Sequence, residues 1–201
     1  MSLHESQVRP ISAEWVPTIT TDTIPAPPQL HKLPPKICLF SWNVRGIGGK
    51  GSQVATTKNH YISALTSSES FSTEVIFLQE CNFPDTPNDY FSCRLPQFRA
   101  HGSAGHPSGS PVPLHDSVTL VRSSFTASTL FADFSWSRVT TVLLPDLGTA
   151  LINIHGLPFA SPTFFHRLHD PLLAIQSKGW SLILAGDFNV APLPCDRTNV
   201  D

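Results

Sequence analysis

A chain of 201 residues, 40% hydrophobic and 14% charged, can bury the core of one α/β domain and is too short for two of ordinary size. A net charge of −2 and a pI near 6.5 exclude a binder that holds nucleic acid through a broad basic surface, though not an enzyme that meets a few phosphates with local cations. Four scattered cysteines without a CxxC pair exclude a disulfide framework or zinc module, and no apolar run approaches the roughly 20 residues of a membrane span. The chain reads as an intracellular protein, cytoplasmic or nuclear, with no signal peptide or transmembrane segment.

Residues 1–35 hold seven of the 19 prolines, which lock φ and remove backbone donors, so a disordered tail or linker is expected there. The globular pattern begins at Lys36. Ile37 to Val44 is a nearly unbroken apolar run that enters the glycine-rich Arg45-Gly46-Ile47-Gly48-Gly49, the mark of a buried strand and a turn. Tyr61, Ile62 and Leu65 predict a short helix over 57–69. Val75-Ile76-Phe77-Leu78 is a second buried strand, stopped by Gln79-Glu80.

Residues 82–115, rich in Pro, Gly, Ser and His, are expected to be mostly loop with one strand near Phe98. Strands follow over 117–122, 138–144 and 150–155, with turn signals at Pro145 and Gly148. Ser161-Pro162 opens a helix carrying Phe165, Leu168, Leu172 and Ile175. Pro171 should kink or split it, and Gly179 ends it. Ser181 to Ala185 is a further buried strand that delivers Gly186-Asp187-Phe188-Asn189. The pattern fits an α/β fold in which two sheets pack face to face with helices outside.

Three apolar strands place a polar residue at or just beyond their C-terminal ends: Asn43, Glu80, and Asp187 with Asn189. A carboxylate at the rim of a core is costly unless it is paired or binds a cation. If the strands are neighbours, two carboxylates and two amides meet at one sheet end. That donor set suits Mg²⁺, with Mn²⁺ as the alternative, for polarising a phosphoryl oxygen. Spacing alone leaves open that these are solvated, turn-capping residues.

Ser41-Trp42-Asn43-Val44-Arg45-Gly46, Phe77-Leu78-Gln79-Glu80 and Gly186-Asp187-Phe188-Asn189 occur in that order, and Asp116 to Val121 looks like a strand that follows a variable loop. Together they resemble the signatures of the endonuclease/exonuclease/phosphatase superfamily, typified by deoxyribonuclease I. They look most like the endonuclease domain of non-LTR retrotransposon proteins. The resemblance covers about Lys36 to Asp201 and implies a two-sheet β-sandwich flanked by helices, with residues 36–201 forming a partial domain. It also implies a metal-dependent phosphodiester hydrolase acting on DNA. Glu80 would be the principal metal ligand, and Asn43 would support the metal or its ligand. Asp187 would orient or deprotonate the attacking water, and Asn189 would hold the phosphate.

Two departures qualify this. Where nucleases of the family usually show Tyr-x-Pro-Asn, this chain reads His155-Gly156-Leu157-Pro158, so His155 would take the tyrosine's phosphate-contacting place or serve as a capping or core residue. The family's final Ser-Asp-His signature is absent, since no histidine follows His169, whereas Asp196-Arg197 resembles a common continuation of the fourth motif. The expectation is a fold incomplete at its C-terminus and impaired in DNA hydrolysis. The alternatives are a phosphatase of the same fold acting on a lipid or sugar phosphate, favoured if His155 faces the metal, and a non-catalytic retroelement remnant. His166 and His169 could share a metal but lack a third ligand. Arg94, Arg99 and the loop from His101 to His115 read as a polar surface that could meet nucleic acid.

Overall fold

The computed structural model describes residues 24–28, 36–47, 53–67, 73–82, 86–105, 114–130, 138–156 and 162–190. Asp196-Arg197 and most of the proline-rich stretch lie outside them. Strand β1 (Leu39–Asn43) leads through helix α1 (Gln53–Ser67) to β2 (Val75–Gln79), then through α2 (Pro87–Ser92) to β3 (Phe98–Gly105) and β4 (Leu114–Arg122). Next come β5 (Ser128–Leu130), β6 (Val139–Leu144), a 3₁₀ turn (Pro145–Leu147), β7 (Thr149–His155), α3 (Pro162–Ser177) and β8 (Ser181–Asp187). They form two four-stranded sheets, of order β1-β2-β4-β3 and β5-β6-β7-β8.

Each sheet contains one parallel pair joined through a helix: β1 with β2, and β7 with β8. All other pairings are antiparallel. Strand β2 is apolar from Val75 to Leu78 because both its faces are covered. Ile76 and Leu78 lie under α1 with Ile62, while Val75 and Phe77 meet Val142, Leu144 and Leu151 of the opposite sheet. On the far face of the second sheet, Phe164, Leu168 and Ile175 of α3 pack on Leu143, Ile152 and Ile154. The layers are therefore helix, sheet, sheet and helix, as the α/β pattern predicts.

Several local expectations are corrected. Within residues 82–115 the strand expected near Phe98 is β3, and the stretch also holds α2, which starts from Thr86, whose side chain accepts from Asp89 N with Pro87 in the first turn. The short β5 has too few residues for alternation to show. Helix α3 runs through Pro171 as one element, because the lost backbone bond is outweighed by Leu168 before it and Ile175 after it in the same core cluster. Helix α1 leaves Tyr61 64% exposed although Ile62 is buried. Strand β8, expected to be buried, is half-exposed, because it lies at the edge of its sheet.

The proline-rich stretch also contributes to the core. Ile24 is 2% exposed and joins the cluster of Val139, Phe164 and Trp180, and the Trp180 indole donates to Pro25 O at 2.7 Å. Prolines are compatible with this because an extended segment lying on a sheet face needs few backbone donors of its own.

Candidate active site

Parallel pairing aligns strand ends. In register, Asn43 faces Gln79 and His155 faces Asp187, so each sheet presents two C-terminal ends side by side. The Asn43 side chain joins the two sets: Nδ2 donates to Glu80 Oε1 and to Asp187 Oδ2, both at 2.7 Å. Its Oδ1 accepts from Arg45 N at 3.1 Å, so the oxygen faces the turn and the amide nitrogen faces the carboxylates.

Behind this cluster a buried peg fixes the sheets against each other. Asn153 is fully buried on β7 and donates to Leu78 O at 3.1 Å and Val118 O at 3.0 Å, while Gln79 Nε2 donates to Asn153 Oδ1 at 2.7 Å. A buried amide that meets all its partners holds one arrangement and penalises others. The peg lies one residue before Glu80 and two before His155, so it locks the relative height of the strands that carry them.

Backbone strain collects in the same place. Arg45 (φ 47°), Glu80 (φ 56°) and Asn189 (φ 51°) are left-handed, a conformation that non-glycine residues adopt at a cost of about 1–3 kcal/mol each. Glu80 is held there by Gly46 N donating to its carbonyl at 2.6 Å. Asn189 bridges the two strands of its sheet, its N–H donating to Asp187 Oδ1 at 3.0 Å and its Nδ2 to Gly156 O at 2.8 Å. Gly186 is required by this packing. Its φ is 142°, and a Cβ there would sit 2.0 Å from Ile154 O.

His155 is 4% exposed, and its Nε2 lies 3.6 Å from Glu80 Oε1. Ligand atoms of Glu80, His155 and Asp187 all fall within 4.8 Å of one another. On the other side of the ring, Nδ1 is 2.5 Å from Asp116 Oδ2 and 3.1 Å from Arg138 Nη1. Asp116 and Arg138 were not among the residues expected at the site. Their signal is topological: β4 and β6 run antiparallel to β2 and β7, so they begin where those strands end.

Beside the cluster opens a cleft of about 500 Å³ lined by Ser41, Trp42, Asn43, Val44, Arg45, Lys58 and Asp187. The Lys58 ammonium is committed to the turn, donating to Arg45 O and Gly46 O at 3.0 Å each and to Val44 O. Arg45, the other lining cation, is exposed. The other candidates lie elsewhere. His166 and His169 are on the exposed face of α3, Arg94 stacks on Tyr90 at 4.1 Å, and Arg99 is exposed on β3. Of the loop expected from His101 to His115, residues 101–105 belong to β3 and 114–115 to β4, and 106–113 lie outside the described residues.

Two sheets between helices, with carboxylates, amides and a histidine gathered at the ends of the parallel strands, define an α/β sandwich with a polar cleft beside that cluster. The chain belongs to the endonuclease/exonuclease/phosphatase family, whose model matches residues 40–196. No curated protein matches it. Among solved structures it is similar to a 3′-5′ exonuclease of Neisseria meningitidis (18% identity, TM-score 0.51), covering 76% of this chain and 57% of that one. It is also similar to a mannosyl-6-phosphatase of Bacteroides thetaiotaomicron (17%, TM-score 0.51; 77% and 66%). A third is an endonuclease/exonuclease/phosphatase family protein from Bacteroides thetaiotaomicron (16%, TM-score 0.52; 79% and 65%). At these identities the likeness is one of fold, the deoxyribonuclease-I-like sandwich, and the chain spans less than two thirds of each structure's length.

Proposed function

We propose that this chain carries the hydrolytic site of a divalent-metal-dependent phosphodiesterase acting on DNA, of the kind found in non-LTR retroelements. The observation that carries the reading is the convergence of Glu80, His155 and Asp187 within 4.8 Å, with Asn43 bridging the two carboxylates. Two carboxylates that share one neutral donor at a half-open rim are short of positive charge, which fits a hard cation such as Mg²⁺ or Mn²⁺. Glu80 would be its principal ligand, with Asn43 fixing that ligand. When bound, the ion supplies Lewis-acid polarisation of a phosphoryl oxygen.

The protein's own part is positioning. Asn43 and Asn189 N fix the two oxygens of Asp187, leaving a lone pair to orient a water and take its proton as the water oxygen bonds to phosphorus and the ester P–O bond breaks. His155 and Asn189 flank the phosphate. Arg45, in the cleft, meets the neighbouring backbone charge. Among the described residues no helix is long and apolar enough to cross a membrane.

A second reading, a phosphatase acting on a sugar or lipid phosphate, draws support from one feature: His155 Nε2 lies 3.6 Å from Glu80 Oε1, the proposed metal ligand. The test sets nicking of supercoiled plasmid beside phosphate release from sugar phosphates and phosphoinositides, with Mg²⁺ or Mn²⁺ and with chelator. Weak nicking, as befits a site impaired in DNA hydrolysis, that Asp187→Ala and chelator both abolish is the expected result, and robust nicking would overturn the impairment. Phosphate release alone would assign the second reading. Neither activity would make the chain a non-catalytic remnant.

A further inference from the structure

Helix α1 carries an aromatic ring to the margin of the cleft. Tyr61 is 64% exposed, although Ile62 beside it is fully buried, and its ring meets that of Trp42 edge to face, with centroids 6.3 Å apart and planes at 63°. Trp42 is half-buried and packs at the edge of the core beneath α1. Trp42 and Asn43 point to opposite faces of β1, yet both line the cleft, because β1 is an edge strand and the cleft wraps its margin. Lys58, also in the lining, lies one turn before Tyr61 on the same side of α1, and the exposed Arg45 belongs to the same wall. Of the four large hydrophobic side chains that stand exposed among the described residues, Tyr61 is the most exposed and the one aromatic.

An edge-to-face pair leaves room for a third flat ring, parallel to one partner and edge-on to the other, and both of those contacts are favoured. Resting on the reading of this cleft as a hydrolytic site, we propose that Trp42 and Tyr61 form a stacking shelf for one unpaired base of a DNA strand. The base belongs to a nucleotide flanking the phosphate held at Asn43 and Asp187, since Trp42 adjoins Asn43 in the chain and lines the same cleft. Charge favours a single strand over a duplex. With two cations in the lining and a net charge of −2, phosphate contacts are few, and stacking supplies the affinity that a basic surface would otherwise give. A paired base has its faces covered by its neighbours and reaches the shelf only by leaving the stack. Every base offers a flat face, so the shelf selects unpaired strands without selecting sequence.

The test is fluorescence anisotropy of a labelled oligothymidylate and of the same strand with abasic sites, in chelator so that neither is cut. The parent should bind the base-bearing strand about 5- to 150-fold more tightly, the worth of one stacked base. Tyr61→Ala and Tyr61→Leu should bring the two strands close together, and Tyr61→Phe should keep the preference. Raised salt should weaken both strands alike without removing it. Each variant should melt near the parent, since the ring is exposed; if one does not fold, the other two and the parent's own preference decide. Equal binding of the two strands by the parent, a preference that survives Tyr61→Ala, or tighter binding of a duplex would overturn the proposal. A sugar phosphate that displaces the oligonucleotide from the parent but not from Tyr61→Ala would overturn it too, assigning the shelf to a sugar ring. The two readings fail separately. Nicking that Asp187→Ala abolishes, without the base preference, removes the shelf alone; the base preference without hydrolysis of any substrate removes the hydrolytic reading alone.

Discussion

Replacing Asn43 by aspartate keeps the shape of the side chain and inverts its chemistry. The wild-type Nδ2 donates to Glu80 and Asp187 at 2.7 Å each. In Asn43→Asp both bonds vanish and three carboxylates share the strand ends. Hydrogen bonds to charged groups are worth about 1.5–3 kcal/mol each when buried. With the Glu80 side chain 36% exposed, roughly half of that applies, for a loss of about 2 kcal/mol in the metal-free protein. For a chain of this length that is a fall in melting temperature of about 4–8 °C. A third carboxylate should also bind divalent cations more tightly, so added Mg²⁺ or Mn²⁺ should raise the variant's melting temperature by more than the parent's. The assay is a thermal melt followed by circular dichroism in chelator and across a metal titration. A variant that melts with the parent in chelator, or that gains no more than the parent from metal, would refute the view that Asn43 is the neutral link between two carboxylates at a cation site.

Gly186→Ala puts a Cβ into Ile154 O at a φ that L residues rarely adopt, so a loss of about 4 kcal/mol or more is expected. Poor soluble yield, or a melting temperature at least about 8 °C lower, would show it. Ile24→Ala removes a side chain that is 2% exposed, and should cost about 2 kcal/mol or more, hence about 4 °C or more; an unchanged melt would place that segment off the sheet in solution. Burial, with the Arg99 charge adding to it, lowers the pKa of His101, and burial lowers that of His115. Each is held neutral in the fold while the unfolded chain binds a proton at the ordinary value. Their contribution to stability is therefore full above about pH 6.5 and lost as pH falls through the depressed values. Chemical denaturation at a series of pH values would show the decline, which His101→Gln should lessen.

The fold was legible wherever a strand is buried on both faces. Val75 to Leu78 reads as core because Ile76 and Val75 are each covered from opposite sides, and no turn or edge needs to be inferred. The same rule misleads at Ser181 to Ala185. That run is as apolar, yet it forms an edge strand whose Leu184 is 39% exposed, since burial depends on neighbours that a strand's own sequence does not specify. Ile24 fails in the other direction. One apolar residue among prolines carries no periodicity, and only the groove between Trp180 and Phe164 makes it core. Helix α2 was missed although Thr86-Pro87 is the same kind of start that Ser161-Pro162 offered, because the surrounding Pro and Ser hid a helix of only six residues.

The limits on reading the site come from strand direction. Asn43, Glu80, His155 and Asp187 all follow apolar runs, and a polar residue that ends such a run stands out in the sequence. Parallel pairing then brings those endings to one level. Asp116 and Arg138 stand at the beginnings of their strands, where a polar residue is indistinguishable from the last residue of the preceding loop. Only the antiparallel pairing of β4 on β2 and of β6 on β7 turns those beginnings toward the same end of the sandwich. An alternating sandwich of this kind therefore builds its cleft from two sets of residues, one set legible and one hidden. The hidden set braces the legible one: Asp116 Oδ2 lies 2.5 Å from His155 Nδ1, and the Asp116 carbonyl accepts from Cys81 N at 2.9 Å, fixing the turn that carries Glu80. A sandwich sequence searched for its site should thus be read at strand starts as well as ends, taking every strand expected to run against a motif-bearing neighbour.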